Sequence, residues 1–281
     1  MKFTRAVSLI LSLAVLAILS ACTGTPSDTR TASPTPIDPL ALVTEAANRI
    51  RAAQTFRMDV NEEGPDYRIE TAYASVYFRH ASAQYAAPGV MQAEVSVIEP
   101  LTRLRIDVGV FARAENQWYR AIWTGNTWIN EAFAVGFNPQ SLIAEDTGFN
   151  AALSAIIDLR YIGDETLESG VETYHVSGGA HGEDVNALLV GLIETGGDVT
   201  VDIFIAKDTL YPVRFIITEE NSPWAVTPEA GEDPQPIRWI MDLYGINEPV
   251  EFDEPQTEAT AEATLEATAE ASPGSAFLGA G

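Results

Sequence analysis

The chain has 281 residues, and 40 acidic residues against 16 basic ones give it a formal net charge of −24. A surface this acidic is repelled by phosphates and by anionic lipid head groups, which excludes nucleic acid binding and adhesion to a membrane by charge. The sequence contains one cysteine, Cys22, so no internal disulfide can form. With 46% hydrophobic residues, the chain has the material for a core that holds the fold together without cross-links.

The first 21 residues have the pattern of an export signal. Lys2 and Arg5 precede an almost wholly apolar run at residues 6–18, which is too short for a membrane span, and small residues then lead to Cys22. This arrangement resembles a bacterial lipoprotein signal peptide, and the resemblance implies that Cys22 becomes the acylated first residue of the mature chain. A cleaved signal peptide with an incidental thiol, or an uncleaved anchor helix, is the alternative. We expect a lipid-anchored protein on the extracytoplasmic face of the cell membrane or envelope.

Two low-complexity segments flank one expected domain at residues 38–252. Residues 22–37 are rich in Thr, Ser and Pro and have no apolar periodicity, which predicts a flexible tether. Residues 253–281 repeat Glu every four positions in an Ala/Thr background, which predicts a disordered tail. Within the domain, residues 221–236 form an insertion rich in Pro and acidic residues.

The first half of the domain is predicted to form one helix followed by strands. Asp38 and Pro39 are an N-cap and a first helical residue, and the apolar spacing that follows predicts a helix to about Gln54. Strands are then predicted at residues 55–60, 67–79, 90–98, 101–112, 118–123 and 127–131.

The second half mixes helices and hairpins. A short helix is predicted at residues 139–143. A second helix is predicted after Thr147, with Phe149, Leu153, Ile156 and Ile157 on one face, and a third helix is predicted to start at Asp184. Hairpins are predicted from residues 160–167 with 171–177 and from residues 199–205 with 211–219, and a last strand at 237–244.

The hairpin of residues 199–219 predicts a register. Apolar residues alternate on both of its strands, and joining them into one surface places Ile203 opposite Val213. Asp202 then lies opposite Arg214 on the other face, where an ion pair is expected.

These elements predict an α+β fold, a large antiparallel sheet with helices segregated on one face. Neither βαβ alternation nor a phosphate-binding glycine loop is found in the sequence. The sequence also lacks the nucleophile-elbow, zinc-protease and calcium-loop motifs. His175 and His181 are six residues apart, which is not a helical spacing for metal ligands. We therefore expect no enzyme activity, no metal and no cofactor.

Large apolar residues occur on both faces of some strands. In residues 118–123, Trp118 and Ile122 alternate with Tyr119 and Trp123, although an ordinary one-sided sheet has polar residues on its outer face. Either helices cover one face while loops bury a rim of aromatic residues, or the sheet and helices enclose an apolar pocket for a hydrophobic ligand.

Several segments of the domain resemble the LppX/LprAFG family of lipoproteins. The resemblance is carried by the helix entries at residues 137–142 and 148–153 and by the hairpin segments 163–165, 170–178, 201–206 and 212–214. Phe204 and Ala206 stand where this family usually has Trp and Asp. The match extends over residues 38–252, apart from the insertion and parts of 61–100.

The family resemblance implies a half-barrel of antiparallel strands with helices packed on its concave face. It further implies a cavity that holds acyl chains of a lipid or glycolipid, a role in moving lipids through the cell envelope, an envelope transporter as a possible partner, and no catalytic residues. We expect the cavity wall to include, on the helix side, Phe149, Leu153, Ile156, Leu188, Leu189 and Leu192, and on the sheet side Trp118, Trp123 and Phe204. The alternatives are a lipid-tethered scaffold or protein-interaction module with a solid core and, third, a surface hydrolase.

Overall fold

A computed structural model describes residues 36–71, 74–133, 137–189, 193–226 and 235–255. The expected signal peptide, Cys22, the tether up to residue 35, residues 227–234 of the insertion and residues 256–281 of the tail lie outside the described residues. The described residues from Asp38 to Pro255 form one compact unit, and the core side chains lie between Val43 and Ile246. This unit therefore supplies its own core.

The described residues form eleven strands and three α-helices. The helices are α1 (Pro39–Arg51), α2 (Gly148–Ala155) and α3 (Gly182–Val185), and 3₁₀ turns occur at Ile122–Thr124, Pro139–Ile143 and Asn186–Leu189. The first six strands are β1 (Thr55–Glu63), β2 (Arg68–Glu70), β3 (Ser75–Ala86), β4 (Val90–Ile98), β5 (Arg105–Arg113) and β6 (Asn116–Arg120). The remaining strands are β7 (Ile157–Thr166), β8 (Glu172–His181), β9 (Asp198–Ala206), β10 (Pro212–Glu219) and β11 (Ile237–Tyr244).

All eleven strands belong to one antiparallel sheet. The order is β6-β5-β4-β3-β1-β11-β10-β9-β8-β7, and β2 pairs with β3 beside this path. The sheet is open and curved, and the helices lie on its concave side, which we call the inner face. Apart from the pairing of β1 with β3 and β11, neighbouring strands follow each other along the chain. The predicted fold class is confirmed.

Helix α1 shows how local sequence sets an element of the inner layer. The Asp38 carboxylate accepts hydrogen bonds from the backbone N–H of Leu40 at 3.0 Å and of Ala41 at 3.4 Å. These bonds satisfy two of the donors that every helix start leaves unpaired, and Pro39 has no N–H to satisfy. One stripe of the helix is buried against the sheet, namely Val43, Ala46, Ala47 and Ile50. The helix ends at Arg51, three residues before the predicted end.

Helix α2 begins at a glycine that no other residue could easily replace. Gly148 has φ +65°, and a Cβ at this position would lie 2.1 Å from the carbonyl oxygen of Leu142. Phe149, Ala152 and Leu153 are buried, and the ring centre of Phe149 lies 5.9 Å from that of Phe56 on β1 and 6.2 Å from that of Phe215 on β10. The helix ends before Ile157, which was expected on the same face. Ile157 instead begins edge strand β7 and is 63% exposed, so that prediction was wrong.

The core is built from alternate residues of the strands together with the helix stripes. Trp239 of β11 is fully buried, with its ring centre 4.8 Å from that of Tyr67 and 5.6 Å from that of Phe78. Phe56 stacks on Tyr85 with 4.7 Å between ring centres. Such offset and edge-to-face pairs add to the burial of apolar area that holds the layers together.

The register of the β9–β10 hairpin differs from the prediction by two residues. Ile203 lies opposite Phe215, and Asp202 lies opposite Ile216. An irregularity between Pro212 and Arg214 reduces the offset to one residue at Ile205, which lies opposite Pro212. A shift of two residues keeps every side chain on its own face, so the apolar pattern could not distinguish the two pairings.

The expected ion pair does not form, and its two members have other partners on the face away from the helices, the outer face. Arg214 donates to both carboxylate oxygens of Asp242 on β11, at 2.6 Å and 3.1 Å. Asp202 instead lies 3.0 Å from Nε2 of His175 on β8.

The segment after β11 crosses the outer face of the sheet. The Gln84 side chain donates to the carbonyl of Glu251, the Asp253 N–H donates to Oε1 of Gln92 at 2.8 Å, and Arg113 donates to Glu254 at 2.6 Å. Residues 253–255, which the sequence assigned to the tail, therefore contact the sheet.

A double-mutant cycle tests the register. The cycle of Arg214→Met with Asp242→Asn should give a coupling energy of about 1 kcal/mol, because these two side chains share two hydrogen bonds. The cycle of Arg214→Met with Asp202→Asn should give less than about 0.3 kcal/mol. Urea unfolding of each variant measures the free energy of unfolding. Stronger coupling of Arg214 to Asp202 than to Asp242 would support the register predicted from the sequence.

Candidate functional site

An apolar cleft lies on the inner face of strands β1, β3 and β4. The cavity inside it has a volume of about 10 Å³, which is room for about one water molecule. All of its lining residues are apolar, and they are Met58, Val60, Phe78, Ala81, Ala83, Met91, Ala93, Leu189 and Ile193. The sheet forms its floor, and the chain after α3 covers it. Residues 190–192, between the two covering residues, lie outside the described residues.

Small side chains on two neighbouring strands make the room. Ala81 and Ala83 point inward from β3, and Ala83 lies directly opposite Ala93 of β4. Two residues further along β3, the buried ring of Tyr85 fills the same face. A methyl group reaches less far from the sheet than a ring or a long aliphatic chain, so a small cavity remains above the three alanines.

A line of directly paired inner residues connects the cleft with an edge of the sheet. Ala83 pairs with Ala93, Ala93 with Val110, Val110 with Tyr119, and Tyr119 with Ile129. We call these five residues the apolar row. Four strand spacings make its length about 19 Å. Its first four members are 5–7% exposed, whereas Ile129 at the edge is 37% exposed.

The residues predicted for the helix side of the cavity lie in three places. Leu189 lines the cleft. Buried residues packed within the core, at most 5% exposed, are Phe149, Leu153, Ile156 and Leu188. Leu192 lies outside the described residues.

The three residues predicted for the sheet side do not line the cleft. Phe204 lies on the outer face, where its ring stacks on His175 at 4.3 Å between centres. Trp118 is 5.7 Å from Phe111, also on the outer face. Trp123 is 54% exposed, because β6 ends at Arg120 and a 3₁₀ turn follows. Of the predicted wall residues that the structure describes, Leu189 alone is brought to the cleft.

Sequence reasoning missed the strand side of the cleft because it searched for large apolar residues. The usable signal was the alternation in β3, in which Ala81 and Ala83 stand between His80, Ser82 and Gln84. In a strand with polar side chains outward and alanine inward, the inward side chains fill little of the core volume, which indicates space over that strand.

One ionisable group stands on the inner face beside the cleft. Glu62 follows Val60 by two positions on β1, and its side chain is fully buried. Burial raises the pKa of the Glu62 carboxyl to about 7, while the Arg79 guanidinium, 3.1 Å from Oε2, acts in the opposite direction. At neutral pH this carboxyl is near its midpoint of ionisation.

His175 and His181 contact carboxylates rather than each other. His175 lies 3.3 Å from Glu165 and 3.0 Å from Asp202, and His181 lies 2.7 Å from Asp198. Among the described residues, no group of three or more His, Cys, Asp or Glu side chains is arranged to hold a metal ion.

Comparison with known proteins identifies the family of the domain. Residues 38–251 match the LppX/LprAFG lipoprotein family. The chain belongs to this family. A comparison with curated protein sequences gives no match.

Two solved structures share the fold. LprF from Mycobacterium bovis superposes with a TM-score of 0.55 and 14% identity, over 78% of this chain and 97% of LprF. The lipoprotein LppX from Mycobacterium tuberculosis superposes with a TM-score of 0.50 and 17% identity, over 76% of this chain and 97% of LppX. At these identities the likeness extends to the fold alone.

Membership in a lipoprotein family indicates a location in the cell envelope. Within the part of the chain that the structure describes, every helix is too short or too polar to cross a bilayer.

The buried carboxyl predicts a pH dependence of stability. Its pKa is about 7 in the folded state and near 4.5 in the unfolded state, so the folded state retains a proton that the unfolded state releases. This stabilisation is complete below pH 4.5 and is lost as the pH rises through 7. Relative to Glu62→Gln, the free energy of unfolding of the wild type should fall by roughly 2 kcal/mol between pH 5 and 8.

Glu63→Gln is the matched control, because Glu63 is the next residue, is 53% exposed and pairs with Arg238. Its difference from the wild type should be constant over the same pH range. Parallel stability curves for the wild type and Glu62→Gln, measured by urea unfolding, would contradict the assignment.

Proposed function

We propose that this protein is a lipid-anchored lipoprotein that binds a lipid or acylated molecule and carries it within the cell envelope. The observation that supports this function is the wholly apolar cleft between the sheet and the chain after α3. In the proposal, hydrocarbon occupies the cleft, while the head group stays at the mouth.

Burial of hydrocarbon supplies the affinity in this proposal. Each methylene moved out of water contributes about 0.8 kcal/mol, so a long acyl chain binds without any polar contact. The cleft has a volume of about 10 Å³, which is room for about one water molecule, so in this proposal its lining side chains move apart to admit an acyl chain. A membrane transporter of the envelope would load or unload such a ligand.

The proposed anchor is the acylated Cys22. A single acyl chain binds a membrane only marginally, so a diacylglyceryl group with an added N-acyl chain provides stable attachment. The residues after Cys22, whose composition predicts a flexible tether, would span roughly 20 Å and let the domain stand clear of the head groups.

A lipid-tethered interaction module without a ligand is the second candidate. The close packing of Phe149, Leu153 and Leu188, each at most 1% exposed, favours it, because the inner layer between α2 and the sheet is filled. The two candidates differ in what the cleft over β3 and β4 binds.

Filling the cleft should abolish most of the binding of a fluorescently labelled fatty acid. Residues 36–281 contain the compact unit and suit the test. Ala81→Leu places three more carbons in the cleft and should weaken binding about tenfold, measured by fluorescence titration.

Ser82→Leu is the matched control, since it adds an apolar side chain at the next residue but on the outer face. It should bind the probe like the wild type. Met91→Ala enlarges the cleft and should retain binding. This variant shows whether any change in the packing of the cleft weakens binding, or only a change that fills it. If the wild type binds no probe and carries no lipid by native mass spectrometry, the interaction module is favoured instead.

Acylation is tested in cells that express the full chain. An alkyne-tagged fatty acid should label the wild type and place it in the membrane fraction, whereas Cys22→Ala should lose the label. Ser27→Ala, a change in the tether, should keep it. Equal labelling of Cys22→Ala would contradict the anchor.

A further inference from the structure

The residues after β6 form an exposed apolar projection that the cleft does not explain. Residues 121–130, here called the tip, contain Ile122, which is 79% exposed, and Trp123, which is 54% exposed. Trp is the side chain that most favours the boundary between hydrocarbon and water. The tip therefore presents two large apolar side chains next to each other.

The exposure is built into a hydrogen-bonded turn. The Thr124 N–H donates to the carbonyl of Ala121 at 3.0 Å, and the Gly125 N–H donates to that of Ile122 at 3.1 Å. Thr124 Oγ1 also accepts from the N–H of Ala121 at 3.1 Å. Ala121 is buried at the base of the turn, so the two apolar side chains are held outward on a fixed support.

The tip is uncharged in a strongly acidic chain. No Asp, Glu, Lys or Arg occurs in residues 121–130, although the whole chain has a net charge of −24. Other exposed apolar pairs have charges between them: Arg103 separates Leu101 from Leu104, and Asp158 and Arg160 separate Ile157 from Ile162. The tip itself therefore brings no charged side chain of its own into the lipid.

The tip also adjoins the open end of the apolar row. Ile129 belongs to the tip, and it exchanges two backbone hydrogen bonds with Tyr119, at 2.8 Å and 3.0 Å. A surface that covers Ile122, Trp123 and Ile129 would therefore meet the row that leads to Ala93 and Ala83 in the cleft.

We propose that the tip docks on the surface of a lipid bilayer, with Ile122 and Trp123 in the interfacial layer. This contact is separate from the lipid anchor at Cys22, and it does not require that the cleft holds a ligand. Docking by uncharged residues suits a zwitterionic bilayer, since an anionic one repels the acidic body. It would turn the sheet edge at β6 toward the membrane.

Vesicle flotation tests the docking. Residues 36–281, which lack Cys22, should float with phosphatidylcholine vesicles. Ile122→Ser with Trp123→Ser should lower the vesicle-bound fraction about tenfold, because both apolar contacts are lost. Quenching of tryptophan emission by brominated phosphatidylcholine should be smaller in Trp123→Phe than in the wild type.

The matched control is Ile157→Ser with Ile162→Ser, on β7 at the opposite edge of the sheet, where the two side chains are 63% and 56% exposed. This variant should float like the wild type. A wild type that does not float, or equal losses in the two double variants, overturns the proposal. So does a dimer that the tip variant abolishes, since the tip would then bind a second copy.

Binding of the fluorescent fatty acid without vesicles separates this proposal from the proposed function. The tip variant should bind the probe like the wild type, because neither substituted side chain lines the cleft. The same measurement, with a thermal melt, confirms that the variant is folded.

Discussion

A single curved sheet must bury its inner face against the rest of its own chain, and this constraint organises the molecule. Strand alternation sends every second side chain inward, and rings such as Phe56, Phe215 and Trp239 fill the concave side with α1 and α2. Cys22 is the one cysteine of the sequence, so no internal disulfide assists. Apolar burial in the inner layer therefore carries the stability of the fold.

The same constraint explains the position of the cleft. The inward-facing side chains of the sheet form a layer whose thickness depends on their size, and this layer is thin where alanine faces inward. Over Ala81, Ala83 and Ala93 the covering chain after α3 meets methyl groups, whereas over Tyr85 it would meet a ring. Core and cleft are thus two parts of one face that differ in side-chain volume.

The outer face is stabilised by different contacts. Carboxylates meet Arg214 and His175 there, and the segment after β11 crosses the strands. Aromatic rings on this face are packed by neighbouring side chains, as where the Arg120 guanidinium lies 4.5 Å from the centre of the Trp128 ring. Apolar residues on both faces of a strand therefore have two causes, the core on one side and this aromatic packing on the other.

Sequence pattern alone determined the fold class, the start of α1 and the position of most strands, because capping and side-chain alternation act between near neighbours in the chain. The family resemblance supplied the curvature. Tertiary structure decided the β9–β10 register, since a shift of two residues preserves the face of every side chain. It also decided which apolar residues border space: Phe149 and Ala81 both face inward, and only the distance to the covering layer makes one core and the other cleft.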